Sequence, residues 1–314
     1  MTAESRRPAG APHSSVLGQL LPGYPARDHW RLVPATGQHY LDVGTGEPLL
    51  FLHGNPTWSY AWRKLLPALA PHARCLAPDL PGLGLSQHLA LPPDPAGRYQ
   101  AQLDHLDALY RHLVDREGVP ARGWTFAVHD WGGPLGFAWL LRNPGVVSRL
   151  VVLNTIAFPW PDGYRLPFYL RWIRDHRPVA AAVHATNAFA RATLRVGVTH
   201  PLPPAERRAY LLPHRRRANR AAITEFVRAI PRDDTDEAWR LLEPSAASDD
   251  LGRIPMFIGW GMRDPVFTPR VLAEWTRRHP HAVVHRYPDA GHLAMEDAGD
   301  ELGVDIRAFL RGQR

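Results

Sequence analysis

The sequence predicts an α/β fold: a mostly parallel sheet covered by helices on both faces, with a helical cap inserted into it. Three observations carry that expectation. Short apolar runs alternate with stretches of helical spacing. The alternation stops between about Ile156 and Leu242, where the chain is rich in Arg, Ala and Pro and keeps a helical pattern. It then resumes with two further apolar runs and a closing amphipathic stretch.

In chain order, His39-Tyr40-Leu41-Asp42-Val43 followed by Gly44-Thr45-Gly46 reads as a strand and turn. Pro48 to His53 reads as a buried strand ending in a Gly-Asn-Pro loop, and Cys75 to Asp79 as another, closed by Pro81-Gly82. Trp124 to His129 is a strand running straight into Asp130, with a helix expected over Leu135–Arg142. Leu150 to Asn154 is the next strand. After the interruption come Pro255 to Trp260, Ala282 to Tyr287, and a final helix over Glu296–Leu310. The resulting organisation is a flexible lead (1–22), a first core part (23–155), the cap (156–242) and a second core part (243–314). A chain of 314 residues accommodates one core plus such an insert.

Composition excludes several classes. An apolar share of 45% with 11 Trp fills a sizeable core. No apolar run approaches the ~18 residues needed to span a bilayer, and Arg6-Arg7 is not followed by the apolar stretch of a signal peptide. The single Cys75 permits no internal disulfide, reads as a buried inert thiol, and is compatible with a cytoplasmic protein. The net charge of +7 is spread over scattered arginines, including Arg215-Arg216-Arg217, without the interleaved aromatics of a base-stacking platform. A solvated cap face accounts for it, with an electrostatic contact to an acidic partner or membrane surface as the alternative; no nucleic-acid partner is expected. Gly82-Leu83-Gly84-Leu85-Ser86 lacks the Lys of a phosphate-binding loop. No metal site and no cofactor are expected.

Four segments carry chemistry. In Val128-His129-Asp130-Trp131-Gly132-Gly133 a strand turns abruptly into a helix, which would hold residue 130 in a strained bend above the sheet. This resembles the nucleophile elbow of the α/β-hydrolase fold, an eight-stranded, mostly parallel sheet, with Asp130 at the usual serine position. The plain alternative is an aspartate capping the helix. Asp289-Ala290-Gly291-His292 follows the last strand, where His292 is placed to act as a general base. Gly261-Met262-Arg263-Asp264-Pro265 follows the penultimate strand, where Asp264 would orient His292; the other seat for this acid holds Asn154 and Thr155, which cannot serve. His53-Gly54-Asn55-Pro56-Thr57-Trp58 supplies Asn55, a side-chain donor that could join the Trp131 indole N–H in holding a departing anion. Plain packing is the competing reading for Trp131.

An aspartate nucleophile attacks an sp3 carbon by displacement, leaving an alkyl ester that activated water can open. Its targets are therefore carbon–halogen bonds, epoxides and strained lactones.

His53-Gly54-Asn55-Pro56-Thr57-Trp58-Ser59-Tyr60, Trp62-Arg63 and His129-Asp130-Trp131-Gly132-Gly133 resemble the haloalkane dehalogenase family. Leu153 to Pro159, Asn187 to Arg191, Tyr210 to Pro213, Phe226 to Pro231 and Asp289 to His292 with Glu296-Asp297-Ala298 are most similar to a branch near it. That branch is the β-lactone decarboxylase family of bacterial long-chain olefin biosynthesis, which turns a cis-3,4-dialkyl-oxetan-2-one into a cis-alkene and carbon dioxide. The resemblance runs over about residues 23–310 and departs from the family pattern at His214-Arg215-Arg216-Arg217 and at Pro265. It implies Asp130 as nucleophile, His292 as base, Asp264 as its partner, Asn55 and Trp131 on the leaving oxyanion, a small apolar substrate, and assembly with other olefin-pathway enzymes. It leaves open whether Asp130 attacks the ring carbon or the carbonyl.

The rival enzymes are a haloalkane dehalogenase using the same five residues on halide, and an epoxide hydrolase, which would need two of Tyr164, Tyr169 and Tyr210. A fluoroacetate-type dehalogenase would want an Arg pair where Gly132-Gly133 stands, and a non-catalytic binding module would not need the acid–base set. Leu166 to Leu170 and Trp172-Ile173 are candidates for lining an alkyl tunnel, against the plainer reading that they pack cap on core.

Overall fold

The computed structural model describes residues 20–86, 92, 94–232 and 253–312. Eight strands form one sheet: β1 (Trp30–Val33), β2 (Gln38–Val43), β3 (Pro48–Leu52), β4 (Arg74–Pro78), β5 (Trp124–Asp130), β6 (Val147–Thr155), β7 (Met256–Gly261) and β8 (Val283–Tyr287). Their spatial order is β1-β2-β4-β3-β5-β6-β7-β8. The β1–β2 and β2–β4 pairs are antiparallel, and every later pair is parallel.

The central strands read as unbroken apolar runs because both faces are covered, which removes the pressure to alternate with polar residues. Side chains still alternate between the two layers. Leu50, Leu52, Phe126, Val128, Leu150 and Val152 join one core cluster, while Leu49, Phe51, Ala127, Val151, Leu153 and Phe257 join the other. Helix α1 (Leu66–Leu69) packs on the second face. The first is covered by α2 (Pro95–Asp115) and α3 (Gly132–Arg142).

Among the described residues five α-helices intervene between β6 and β7: α4 (Phe168–Asp175), α5 (Arg177–Thr186), α6 (Ala188–Val196), α7 (Pro204–Leu211) and α8 (Ala221–Arg228). Asn187 joins α5 to α6 at φ 57°, a left-handed conformation that Asn tolerates. The part of the expected cap from 233 to 242 lies outside the described residues, as does most of the expected lead. Leu21 is buried and Tyr60 donates to the Pro22 carbonyl, so packing begins before residue 23, earlier than the sequence suggests. After β7 come α9 (Pro269–Arg278), α10 (Ala294–Asp297) and α11 (Gly299–Leu310).

Several expectations on element bounds need correction. The helix after β5 starts at Gly132 rather than Leu135, because the bend at Asp130 already turns the chain. The single closing helix is two, broken at Ala298. Edge strand β1 and the long helix α2 are additions; α2 is announced by Asp94, whose side chain accepts from Gly97 N–H, with Pro95 in the first turn.

Strand order decides where the site lies. From β3 the chain steps outward to β4 and then returns to place β5 on the other side of β3. At that reversal the loops leaving neighbouring carboxyl ends diverge and open a crevice. Leu52 is in register with Val128, so the loops after them, carrying Gly54-Asn55 and Asp130-Trp131, meet there.

Candidate active site

Asp130 ends β5 at φ 49°, in the left-handed region, and the ladder with β6 shifts register between His129 and Asp130. For a residue with a Cβ this is a strained conformation, and such strain is tolerated where the surroundings over-determine it. Three glycines make the bend sterically possible. A Cβ on Gly132 would stand 1.9 Å from the Leu52 carbonyl oxygen, one on Gly133 1.9 Å from Thr155 Oγ1, and one on Gly54 2.1 Å from Asp130 Oδ1. Thr155 Oγ1 in turn donates to the Asp130 carbonyl.

The Asp130 carboxylate sits at the floor of a cavity. Burial pushes its pKa up from the ordinary value; the facing His292 and the backbone N–H groups of Asn55 and Trp131 work the other way. The Asn55 N–H donates to Oδ1 at 2.7 Å. His292 Nε2 stands 3.7 Å from Asp130 Oδ2, and its Nδ1 lies 2.9 Å from Asp264 Oδ2. Burial disfavours the charged imidazole, yet the Asp264 carboxylate and then Asp130 outweigh it and raise the His292 pKa above 6.5. Asp264 is itself pinned: its Oδ1 accepts the N–H groups of Val266 at 2.7 Å and Phe267 at 3.0 Å. The three residues singled out for acid–base work are therefore in one line of contact, brought together from the ends of β5, β7 and β8.

Two residues enter that the sequence did not single out for roles. Asn154, set aside as unable to serve as the acid, supports it instead. Its Nδ2 donates to Asp264 Oδ2 at 2.9 Å and to the Gly261 carbonyl at 3.0 Å, while its Oδ1 accepts the Gly261 N–H at 2.8 Å. His129 is fully enclosed, and burial followed by the neighbouring His292 holds its pKa well below the usual imidazole value. Its Nε2 donates to the His292 carbonyl at 2.9 Å, and the two rings lie 4.7 Å apart. Neutral His129 thus fixes the loop that carries His292. Nothing in residue type or spacing separates His129 from the other 16 histidines of the chain.

Asn55 and Trp131, the residues expected to hold a departing anion, come to the same cavity. Trp131 is wedged between Tyr99 (5.5 Å) and Phe226 (5.3 Å), and both Trp131 and Asn55 line the cavity. The Asn55 side chain spends one N–H on the Ile223 carbonyl of α8, at 3.0 Å, which leaves its second N–H for a ligand. The cavity is about 330 Å³, and apart from Asp130, His292, Asn55 and a few polar edges its walls are apolar, including Leu166, Leu170, Ile173, Val227 and Phe267. Of the suggested tunnel residues, Phe168 and Trp172 do not line it: they are 71% and 55% exposed. Cys75 is buried, with its thiol pushed up to about 12, and takes no part. Among the described residues no group of three or more His, Cys, Asp or Glu side chains is arranged to hold a metal.

Residues 47–299 match the α/β-hydrolase fold family. The chain belongs to that family. This α/β-hydrolase is 40% identical to the cis-3-alkyl-4-alkyloxetan-2-one decarboxylase of Xanthomonas campestris over 284 residues, covering 88% of the chain and 93% of the relative. It is 30% identical to haloalkane dehalogenase 2 of Mycobacterium tuberculosis, covering 90% and 94%. The crystal structure of the haloalkane dehalogenase DbeA from Bradyrhizobium elkani superposes with a TM-score of 0.77 at 28% identity, covering 90% and 97%.

Proposed function

We propose that this α/β-hydrolase opens and decarboxylates a cis-3,4-dialkyl β-lactone to a cis-alkene and carbon dioxide. The observation that carries the reading is the Asp130 carboxylate, bent up at the floor of an apolar cavity and faced by the His292–Asp264 pair. The similarity to an oxetanone decarboxylase names the class of electrophile.

In this mechanism Asp130 attacks the ring carbon bearing oxygen. The ring C–O bond breaks, its electron pair leaves on the carboxylate, and ring strain drives the step. Asn55 Nδ2 and the Trp131 indole N–H receive that carboxylate, and the Asp130 ester forms with inversion. The bond from the neighbouring carbon to the carboxylate then breaks, its electrons form the C=C bond, and Asp130 departs as carboxylate. No water is consumed. Inversion followed by anti departure returns the alkyl groups to the cis relation. His292, charged through Asp264, faces Asp130 Oδ2 and stabilises the negative charge that returns to it.

The haloalkane dehalogenase alternative uses the same five residues, with halide between Asn55 and Trp131 and a neutral His292 delivering water. The epoxide-hydrolase alternative loses its tyrosines: Tyr210 donates to Glu296 outside the cavity and Tyr164 to the Val266 carbonyl at 2.6 Å, leaving Tyr169 alone of the three at the cavity wall. The same reading makes the protein a cytoplasmic late step of olefin formation, acting with the enzymes that supply its lactone. Gas chromatography of the products from a synthetic cis-dialkyl β-lactone tests it. Cis-alkene is the expected product; rapid bromide release from 1-bromobutane with no lactone turnover would reverse the assignment.

A further inference from the structure

The positive charge of this protein is concentrated on one part of it. Residues 156–232 hold fourteen arginines against four carboxylates (Asp162, Asp175, Glu206 and Glu225), a balance of +10 where the whole chain has +7; the offsetting acids follow directly, with seven carboxylates against one arginine in residues 233–252. Within that region Arg165, Arg171, Arg177, Arg191 and Arg195 are exposed, and among the described residues no carboxylate pairs with any of them. The one acid of α4, Asp175, is already held by Arg174 and Arg232.

Among these arginines stand two large apolar side chains turned to water. Phe168 and Trp172 occupy one face of α4 a helical turn apart, 71% and 55% exposed, while Leu170 and Ile173 on the opposite face line the cavity. The neighbouring rim belongs to the cavity itself: Ala188, Ala192 and Val196 of α6 are exposed and also line it, and Val196 is 57% exposed. The Phe168 ring meets Tyr169, another cavity residue, with centroids 5.9 Å apart.

We infer that this face docks on an anionic lipid bilayer, with Phe168 and Trp172 entering the headgroup–acyl boundary and the arginines lying on lipid phosphates. Charge alone would fit an acidic protein equally well. The two aromatics decide between them: a charged protein surface would leave them without apolar contact, whereas an anionic bilayer presents charge over hydrocarbon in one surface, the combination that interfacial helices exploit. In that pose the mouth of the cavity meets the acyl layer, and an apolar substrate enters without crossing water. The entry route rests on the substrate proposed above; the docking does not.

Flotation of the full chain with phosphatidylcholine vesicles, with and without phosphatidylglycerol, tests the docking. The protein is expected to float with the anionic vesicles only, to be released by high salt, and to lose about tenfold or more of its binding in Phe168→Ser/Trp172→Ser. Absence of phosphatidylglycerol-dependent flotation, or equal flotation of that variant, overturns the inference. So does retention on polyglutamate without vesicle binding, which would assign the face to an acidic protein. The entry route is read separately. The double variant should turn over a short, freely dissolved β-lactone as the parent does, and lose about tenfold on a long-chain lactone embedded in anionic vesicles. Equal loss on both, or none on either, overturns the route. If the parent floats but turns over no lactone, the proposed reaction fails and the docking stands.

Discussion

Replacing Asp264 by Asn removes one negative charge and reverses one hydrogen-bond direction. Four donors surround the carboxylate: the N–H groups of Val266 and Phe267 on Oδ1, with Asn154 Nδ2 and His292 Nδ1 on Oδ2. An asparagine keeps the first pair by placing its carbonyl oxygen there, which turns its NH2 against the other two. Asn154 cannot flip to relieve the clash, because its own Oδ1 holds the Gly261 N–H. His292 must give up the Nδ1 proton, leaving a neutral ring protonated only on Nε2. An opposite charge at this distance is worth about 1–3 pKa units, or about 1.4–4 kcal/mol between the two protonation states. Asp264 and Asp130 raise the pKa of the parent His292, so alkene formation should fall as pH rises through that raised pKa. In Asp264→Asn the falling limb should move down by about 1–3 units, with kcat near neutral pH reduced on the order of 10³-fold. KM should hold, since Asp264 does not line the cavity. Steady-state alkene release from a cis-dialkyl β-lactone across pH is the assay. An unchanged limb together with an unchanged kcat would refute a charged His292.

Mass spectrometry of His292→Ala after exposure to substrate should find the Asp130 peptide heavier by one whole lactone, because departure of Asp130 is slowed while attack is not; an unmodified peptide after full exposure counts against covalent catalysis. Trp131→Phe keeps the packing against Tyr99 and Phe226 but removes the indole donor, so kcat should fall roughly 10²-fold with the fold intact by circular dichroism. Gly54→Ala drives a methyl to 2.1 Å from Asp130 Oδ1 and should abolish turnover, whereas full activity would show that the bend can move aside. Glu296→Ala leaves Arg63, which is 3% exposed, with Glu206 as its remaining ion-pair partner, and should cost about 3 kcal/mol in urea unfolding. Arg63→Met/Glu296→Leu should recover part of that loss, since it removes the two most buried charges together while leaving Glu206, Lys64 and the Tyr210 hydroxyl without these partners.

The sequence by itself determined the central strands of the sheet and the order of its chemistry. Strands buried on both faces must be apolar throughout, so Pro48–Leu52, Trp124–Val128 and Leu150–Leu153 announce themselves. A bend from strand into helix at Asp130 must be followed by small residues, so Gly132-Gly133 marks it. What only the tertiary structure decided are the contacts between residues far apart in the chain. Asn154 supports Asp264 across 110 positions, His129 holds the His292 carbonyl across 163, and Arg63 meets Glu296 across 233. Each is an ordinary polar side chain whose role comes from the partner that folding delivers, and local periodicity carries no information about that partner. The same holds for α4. Its amphipathic pattern is readable, but Leu170 and Ile173 rather than Phe168 and Trp172 face inward because α8 and the cavity lie on that side, which is a fact of packing.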